Sequence, residues 1–119
     1  MIGYSTGPDS AVVEITVRGK VTDAELRACF EDLRADIEHN DKTRLLERIE
    51  HFTGIEPAAL WTDIRVGPAL ARQVTRVAIV ADSAWIRSVS YLGKFMTHAE
   101  LKIFGPGELE QARAWVSAP

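Results

Sequence analysis

Arg76-Val77-Ala78-Ile79-Val80-Ala81-Asp82 is the stretch on which the reading of this chain turns. After the arginine the residues are apolar without alternation, so a strand built from them has both faces to cover. A strand with that requirement belongs in the middle of a parallel sheet with helices packed on it. The run is also far shorter than the ~20 apolar residues that a membrane-spanning helix needs. Outward from this stretch, the pattern should alternate between a period of 2 and a period of 3.6, and it does.

Upstream, Ile2 to Ser5 forms a short strand closed by the turn residues Gly7-Pro8-Asp9. Val12 to Arg18 is β-branched and ends at Gly19-Lys20, a second strand paired by a hairpin to the first. Thr22 and Glu25 have the spacing of a capping box. Behind them Leu26, Cys29, Phe30, Leu33 and Ile37 fall on one face of a helix ending near Asn40. Arg44 to Ile49 is the next strand. Pro57 suits the first turn of a second helix, whose apolar face is read as Leu60, Trp61 and Ile64, and Gly67-Pro68 should end or kink it.

Downstream, Asp82 or Ser83 caps a third helix carrying Trp85, Ile86, Val89 and Leu92. Glu100 to Phe104 is the last strand. Gly105-Pro106-Gly107 turns into a final helix with Leu109, Ala112, Trp115 and Val116. The 119 residues are one domain, an α/β fold of order β-β-α-β-α-β-α-β-α. About five strands make a mainly parallel mixed sheet, the first hairpin supplying the antiparallel pair, with four helices over it.

Composition narrows the function classes. The formal net charge of −3 argues against a nucleic-acid binder that works by neutralising phosphates. The charge is uneven, net −6 over residues 1–64 and net +4 over residues 65–102, which leaves a mildly basic face for an anionic partner or membrane surface. The N-terminus has no basic start and no apolar core of a secretory signal, so a soluble, cytoplasmic protein is expected. Cys29 is the only cysteine, lies in an apolar stripe and reads as a small buried hydrophobe in a reducing compartment.

Three local stretches, in this order and spacing, carry a resemblance. They are Phe52-Thr53-Gly54 leading to Pro57-Ala58-Ala59-Leu60-Trp61-Thr62-Asp63; Arg76 to Asp82 running into Trp85; and Phe95-Met96-Thr97-His98-Ala99-Glu100-Leu101-Lys102-Ile103-Phe104 ahead of a helix with Ala112 and Trp115. Together they resemble the SpoIIAA-like family, a branch of the STAS domains also associated with the Sec14-type lipid-binding fold. The resemblance covers nearly the whole chain. It implies a module that binds, since STAS domains act as anti-sigma-factor antagonists, as parts of transporters or as sensors of small ligands. The antagonists are switched by phosphorylation of a Ser that follows Asp at the start of the second helix. Here that place reads His51-Phe52-Thr53-Gly54, and only Thr53 offers a hydroxyl.

The candidate site is drawn from the carboxyl edge of the sheet and from the aromatic residues. The segment from His51 to Pro57 reads as a strand-to-helix loop, where free helix N–H groups favour an anion and where Thr53 and Gly54 would allow close approach. Against this stands an ordinary turn capped by Thr53. Asp82 sits at the end of the central strand, either as a functional carboxylate or as a helix cap. Phe52, Trp61, Trp85, Tyr91 and Phe95 read mainly as core, with the remaining aromatic surface lining a pocket or a dimer face. His39, His51 and His98 share no metal spacing, and no nucleophile with an adjacent base, Walker loop or dinucleotide fingerprint is present in the sequence. The sequence thus points to a non-catalytic regulatory module without metal or cofactor. It would act on a protein partner as a homodimer, the alternative being a pocket for an apolar or lipid-like ligand.

Overall fold

The computed structural model describes residues 1–6, 11–82 and 99–119. Five strands, β1 (Ile2–Thr6), β2 (Val12–Val21), β3 (Arg44–Ile55), β4 (Arg76–Val80) and β5 (Glu100–Phe104), lie in that order across one sheet. β1 runs antiparallel to β2 with Ile2 opposite Val17, and every other pairing is parallel. Three helices occur among the described residues: α1 (Asp23–His39), α2 (Pro57–Ala71) and α3 (Leu109–Ser117). The mixed, mainly parallel sheet is as the sequence implies. The helix expected around Trp85 to Leu92 and the turn at Gly7-Pro8-Asp9 lie outside the described residues.

Alternate residues of the strands supply two cores, as the period-2 geometry requires. Val13, Ile15, Leu45, Val77 and Ile79 face one side and pack under Cys29, Leu33 and Ile37 of α1 and Leu70 of α2. Val12, Leu46, Ala78, Val80 and Phe104 face the other and pack under Ala112 and Val116 of α3. The capping box at the start of α1 forms in both directions, Glu25 N–H donating to Thr22 Oγ1 at 3.2 Å and Thr22 N–H to Glu25 Oε2 at 3.3 Å.

The short α3 is tied down by arginines from the sheet. Arg44 Nη1 donates to the carbonyls of Val116, at 2.8 Å, and Ala118. Arg76 Nη1 donates to those of Trp115 and Ala118, each at 2.9 Å, and its guanidinium stacks over the Trp115 ring at 5.1 Å. Cations there meet the negative end of the helix dipole and its last carbonyls. Arg113 holds the helix from its other side through Glu14, with contacts of 3.1 and 3.2 Å.

Three expectations need correction. β3 does not stop at Ile49 but continues to Ile55, because the far end of β2 keeps pairing with it through an irregular register. α2 does not end at Gly67-Pro68. It runs to Ala71 with Pro68 inside it, although the proline cannot donate the i→i−4 bond at that position. Leu60, Trp61 and Ile64 are not the buried face of α2. They are 48%, 63% and 57% exposed, and the helix instead buries Ala59, Thr62 and Leu70.

That inversion has a packing cause. Ala59 reaches Val21 and Leu26 in a small satellite core, and a Cβ on Gly67 would stand 3.9 Å from the Phe30 ring of α1. Small residues bring α2 close against α1. Bulky side chains on that face would hold the two helices apart, so they point outward instead.

Candidate functional site

The parallel strands β2 to β5 end on a common edge, and the N-termini of α1 and α2 rise from it. Open α/β sheets gather their ligands at such an edge. Here it carries an irregularity. Arg18 pairs with Glu50, Gly19 with Phe52 and Lys20 with Gly54, so β3 spends two more residues than β2 over the same span. The unpaired residues are His51 and Thr53. His51 takes a φ of 48°, in the left-handed region that non-glycine residues rarely enter, and Gly19 and Gly54 take φ of 67° and 151°. Strain of this kind collects where a strand end is shaped for a purpose.

Phe52, Thr53 and Gly54 therefore lie in a bulged strand rather than in the strand-to-helix loop expected for them. Phe52 is 40% exposed, and the Thr53 hydroxyl faces no recorded acceptor or donor among the described residues. Where the loop was expected to cradle an anion, the residue before α2 is Glu56. Its carboxylate accepts from the Asp23 N–H at the start of α1, at 2.8 Å. Asp23 in turn accepts from Thr62 Oγ1 at 2.6 Å and from Arg27 Nε at 2.7 Å, and these bonds hold its carboxyl below the usual range. Two carboxylates thus join the start of α1 to the start of α2, and their charge disfavours a phosphate at this corner.

Trp61 projects from the outward face of α2 with Leu60 and Ile64 beside it at i−1 and i+3, forming an apolar patch flanked by exposed Arg65. Asp82 is exposed, two residues beyond the end of β4. Trp85, Tyr91 and Phe95 lie outside the described residues, as does any cap that Asp82 gives the helix expected there. The structure thus places Phe52, Thr53 and Gly54 together on the β3 extension and Trp61 on the next element.

Leu60 and Ile64 were missed as surface residues, although Ala59, Thr62, Val66 and Leu70 recur at helical spacing and mark the true inner face. Glu47 was missed as well. It stands half-buried on β3 opposite Ile15 and Ile79, and burial foremost, then the charge of Asp63, push its carboxyl up to about 7. Cys29 is buried as expected, and burial pushes its thiol up to about 12.

Among the depressions in the described residues, two stand out. The larger, about 370 Å³, is lined by Ile37, Asp41, Arg72, Gln73, Val74 and Thr75. The smaller, about 50 Å³, is lined by Arg48, Ile49, Glu50, Val80, Pro106 and Leu109. Neither includes Phe52 or Trp61. No cluster of metal-ligating side chains occurs among the described residues, and no helix there is long and apolar enough to cross a membrane.

The family model described as SpoIIAA-like matches residues 12–117, from the first residue of β2 to the last of α3. The chain belongs to the SpoIIAA-like family. Among solved structures, an uncharacterised DUF3478-family protein with a SpoIIAA-like fold from Shewanella loihica PV-4 is similar at 21% identity. Its TM-score is 0.76, with 98% of this chain and 92% of that one covered. The anti-sigma factor antagonist SpoIIAA in its unphosphorylated form is similar at 14% identity with a TM-score of 0.61, covering 95% of this chain and 98% of that one. At these identities the likeness shows the SpoIIAA-like fold alone. No curated protein matches the chain.

Proposed function

We propose that the protein is a non-catalytic regulatory module that binds a partner protein through the outward face of α2, next to the bulged end of β3. The observation that carries this reading is the exposure of Leu60, Trp61 and Ile64 together on one helix face. A soluble domain seldom leaves a tryptophan and two branched aliphatics side by side in water, and such patches mark contact surfaces. Tryptophan is also the residue type most enriched among the anchors that dominate interface energy. Family membership supports the reading, since an anti-sigma factor antagonist of the same fold acts by binding a protein. A second copy of this chain is one partner that such a face would take.

The test is recovery of binding proteins from the native host on immobilised wild type and on a Leu60→Ser, Trp61→Ala, Ile64→Ser triple variant, with sedimentation of both run alongside. The exposed positions predict a variant that folds with unchanged thermal stability. A partner, or a self-associated species, should be retained by the wild type and weakened at least tenfold in the variant, since anchor truncation removes ~2 kcal/mol or more. Equal retention by the two proteins overturns the reading.

Phosphorylation is not the switch in this proposal. α2 begins with Glu56-Pro57-Ala58, without a hydroxyl, and Thr53 sits upstream on β3. Thr53→Ala is expected to leave partner affinity within about twofold, an exposed substitution away from the anchors being worth less than ~0.5 kcal/mol. Stoichiometric phosphate on Thr53 in protein from the native host, with binding abolished by it, would sink this part of the proposal.

A further inference from the structure

β3 is 12 residues long and β4 only 5, and the two stop out of step. β4 pairs with Arg44 to Arg48 alone. The stretch from Ile49 to Ile55 therefore has β2 on one side and, among the described residues, no strand on the other. At ~3.3 Å per residue the open length is roughly 20 Å. His51, Phe52 and Thr53 are exposed in the middle of it.

The main-chain groups on the open side can be counted off from the two ends of the strand. A strand between two parallel neighbours sends the N–H and C=O of successive residues to alternate sides. Arg44 N–H donates to the Ala11 carbonyl at 2.8 Å and Glu56 N–H to the Val21 carbonyl at 2.9 Å, both toward β2. Thr43 instead offers its carbonyl to the Thr75 N–H at 3.1 Å, toward β4. Even-numbered residues thus face β2, and it is Phe52 and Gly54 that keep its register. His51 and Thr53, which β2 skips, fall on the open side.

The space beside this edge is bounded as well. The depression of about 50 Å³ lies where β4 stops, with Arg48, Ile49 and Glu50 on one side, Val80 at its head, and Pro106 and Leu109 on the other. Ala81 turns its N–H to the Phe104 carbonyl at 3.0 Å, away from β3. β5 ends level with β4, Val80 standing in register with Phe104, and Gly105-Pro106-Gly107 follows at once. Neighbouring strands lie ~4.8 Å apart, so the gap between β3 and this turn is one strand wide.

We propose that the open edge of β3, from Ile49 to Ile55, is a strand-addition site that takes one extended segment of a partner protein in line with β4. Unpaired main-chain groups held in strand conformation are matched by another extended main chain. Such pairing supplies affinity, and pockets for alternate side chains supply selection. The apolar part of the depression, Val80, Pro106 and Leu109, suits a small aliphatic side chain of the incoming strand. A second copy of this chain does not fit, because its β3 brings β2 alongside and a pair of strands meets the Pro106 turn. The bulge also twists the edge away from a flat sheet. Use of this edge does not depend on the outward face of α2.

The experiment selects phage-displayed random peptides of about ten residues on the immobilised full chain, then follows the best binder by amide exchange and chemical-shift mapping of the labelled protein. In the protein alone, the His51 and Thr53 amides should exchange at close to the rate of an unstructured chain. With peptide bound they should slow more than about tenfold, with shift changes centred on residues 49–55, Val80 and Leu109. The binder should carry a small aliphatic residue. N-methylating those peptide amides that alternate toward β3 should weaken it at least about tenfold, and methylating the intervening ones should not. The Leu60→Ser, Trp61→Ala, Ile64→Ser variant should bind the peptide as the wild type does, which keeps this site distinct from the α2 face. Failure to recover a binder, binders that map only to α2, or His51 and Thr53 amides already protected in the free protein would each overturn the proposal.

Discussion

Leu46→Ala is expected to lower the free energy of unfolding by about 2–5 kcal/mol, the usual range for emptying a fully buried leucine site. Leu46 is fully inaccessible on β3, between Val12, Ala78 and Val80 on its own sheet face and Ala112 and Val116 of α3. The site cannot collapse easily. β3 is held on both sides by ladders, to β2 and to β4, while α3 is pinned by its arginine contacts and cannot follow the lost volume. A cavity that stays open adds its own term, about 24 cal/mol for each Å³ left. Urea unfolding of wild type and variant measures the difference. A loss below about 1 kcal/mol, under the range above, would mean that α3 settles into the gap and is less firmly anchored than its contacts imply.

Arg76→Ala is the second large effect expected, at about 2–4 kcal/mol. Its guanidinium donates to two carbonyls at the end of α3, those of Trp115 and Ala118, and stacks on Trp115. Hydrogen bonds from a charged donor are each worth roughly 1.5–3 kcal/mol, and a partly desolvated cation–π contact adds about 0.5–2 kcal/mol; the contributions overlap. The ion pair to Glu100 at 3.7 Å adds little, because Glu100 is well exposed. Arg76→Lys should recover less than half of the loss, since an ammonium lacks the flat fork that bridges two carbonyls and stacks on a ring. The same unfolding measurement decides it. Full recovery by lysine would show that charge alone holds the helix end, and a loss under about 0.5 kcal/mol for Arg76→Ala would remove the clamp altogether.

Much of the architecture was legible because its signals are local. Val77 to Ala81 had to be covered on both sides, and Thr22 with Glu25 marked the start of α1 by spacing alone. The misreadings share a physical origin in contacts that spacing does not record. β3 was expected to end at Ile49, yet the backbone of β2 carries it six residues further through two unpaired positions. On α2 the bulkiest residues were taken for the inner face, whereas the close approach of α1 selects the smallest. Phe52, Thr53 and Gly54 were placed on the right edge of the sheet but in the wrong local structure. Glu47 gave no sign in sequence, because a lone acid in a strand looks the same whether its neighbours are water or carboxylate.

The arginine clamp on α3 also sets an order of events. Arg44 and Arg76 are the first residues of β3 and β4, and the carbonyls they hold lie 72 and 39 positions onward in the chain, at Val116 and Trp115. A helix of nine residues does not persist alone in water, where roughly 12–15 residues are needed even for favourable sequences. α3 therefore forms against a sheet already in register, with Arg44 and Arg76 brought side by side by strand pairing. Among the described residues, α3 is the helix that covers the apolar sheet face of Val12, Leu46, Ala78, Val80 and Phe104. A chain in which α3 has not yet docked is most open to aggregation on the side that this helix seals.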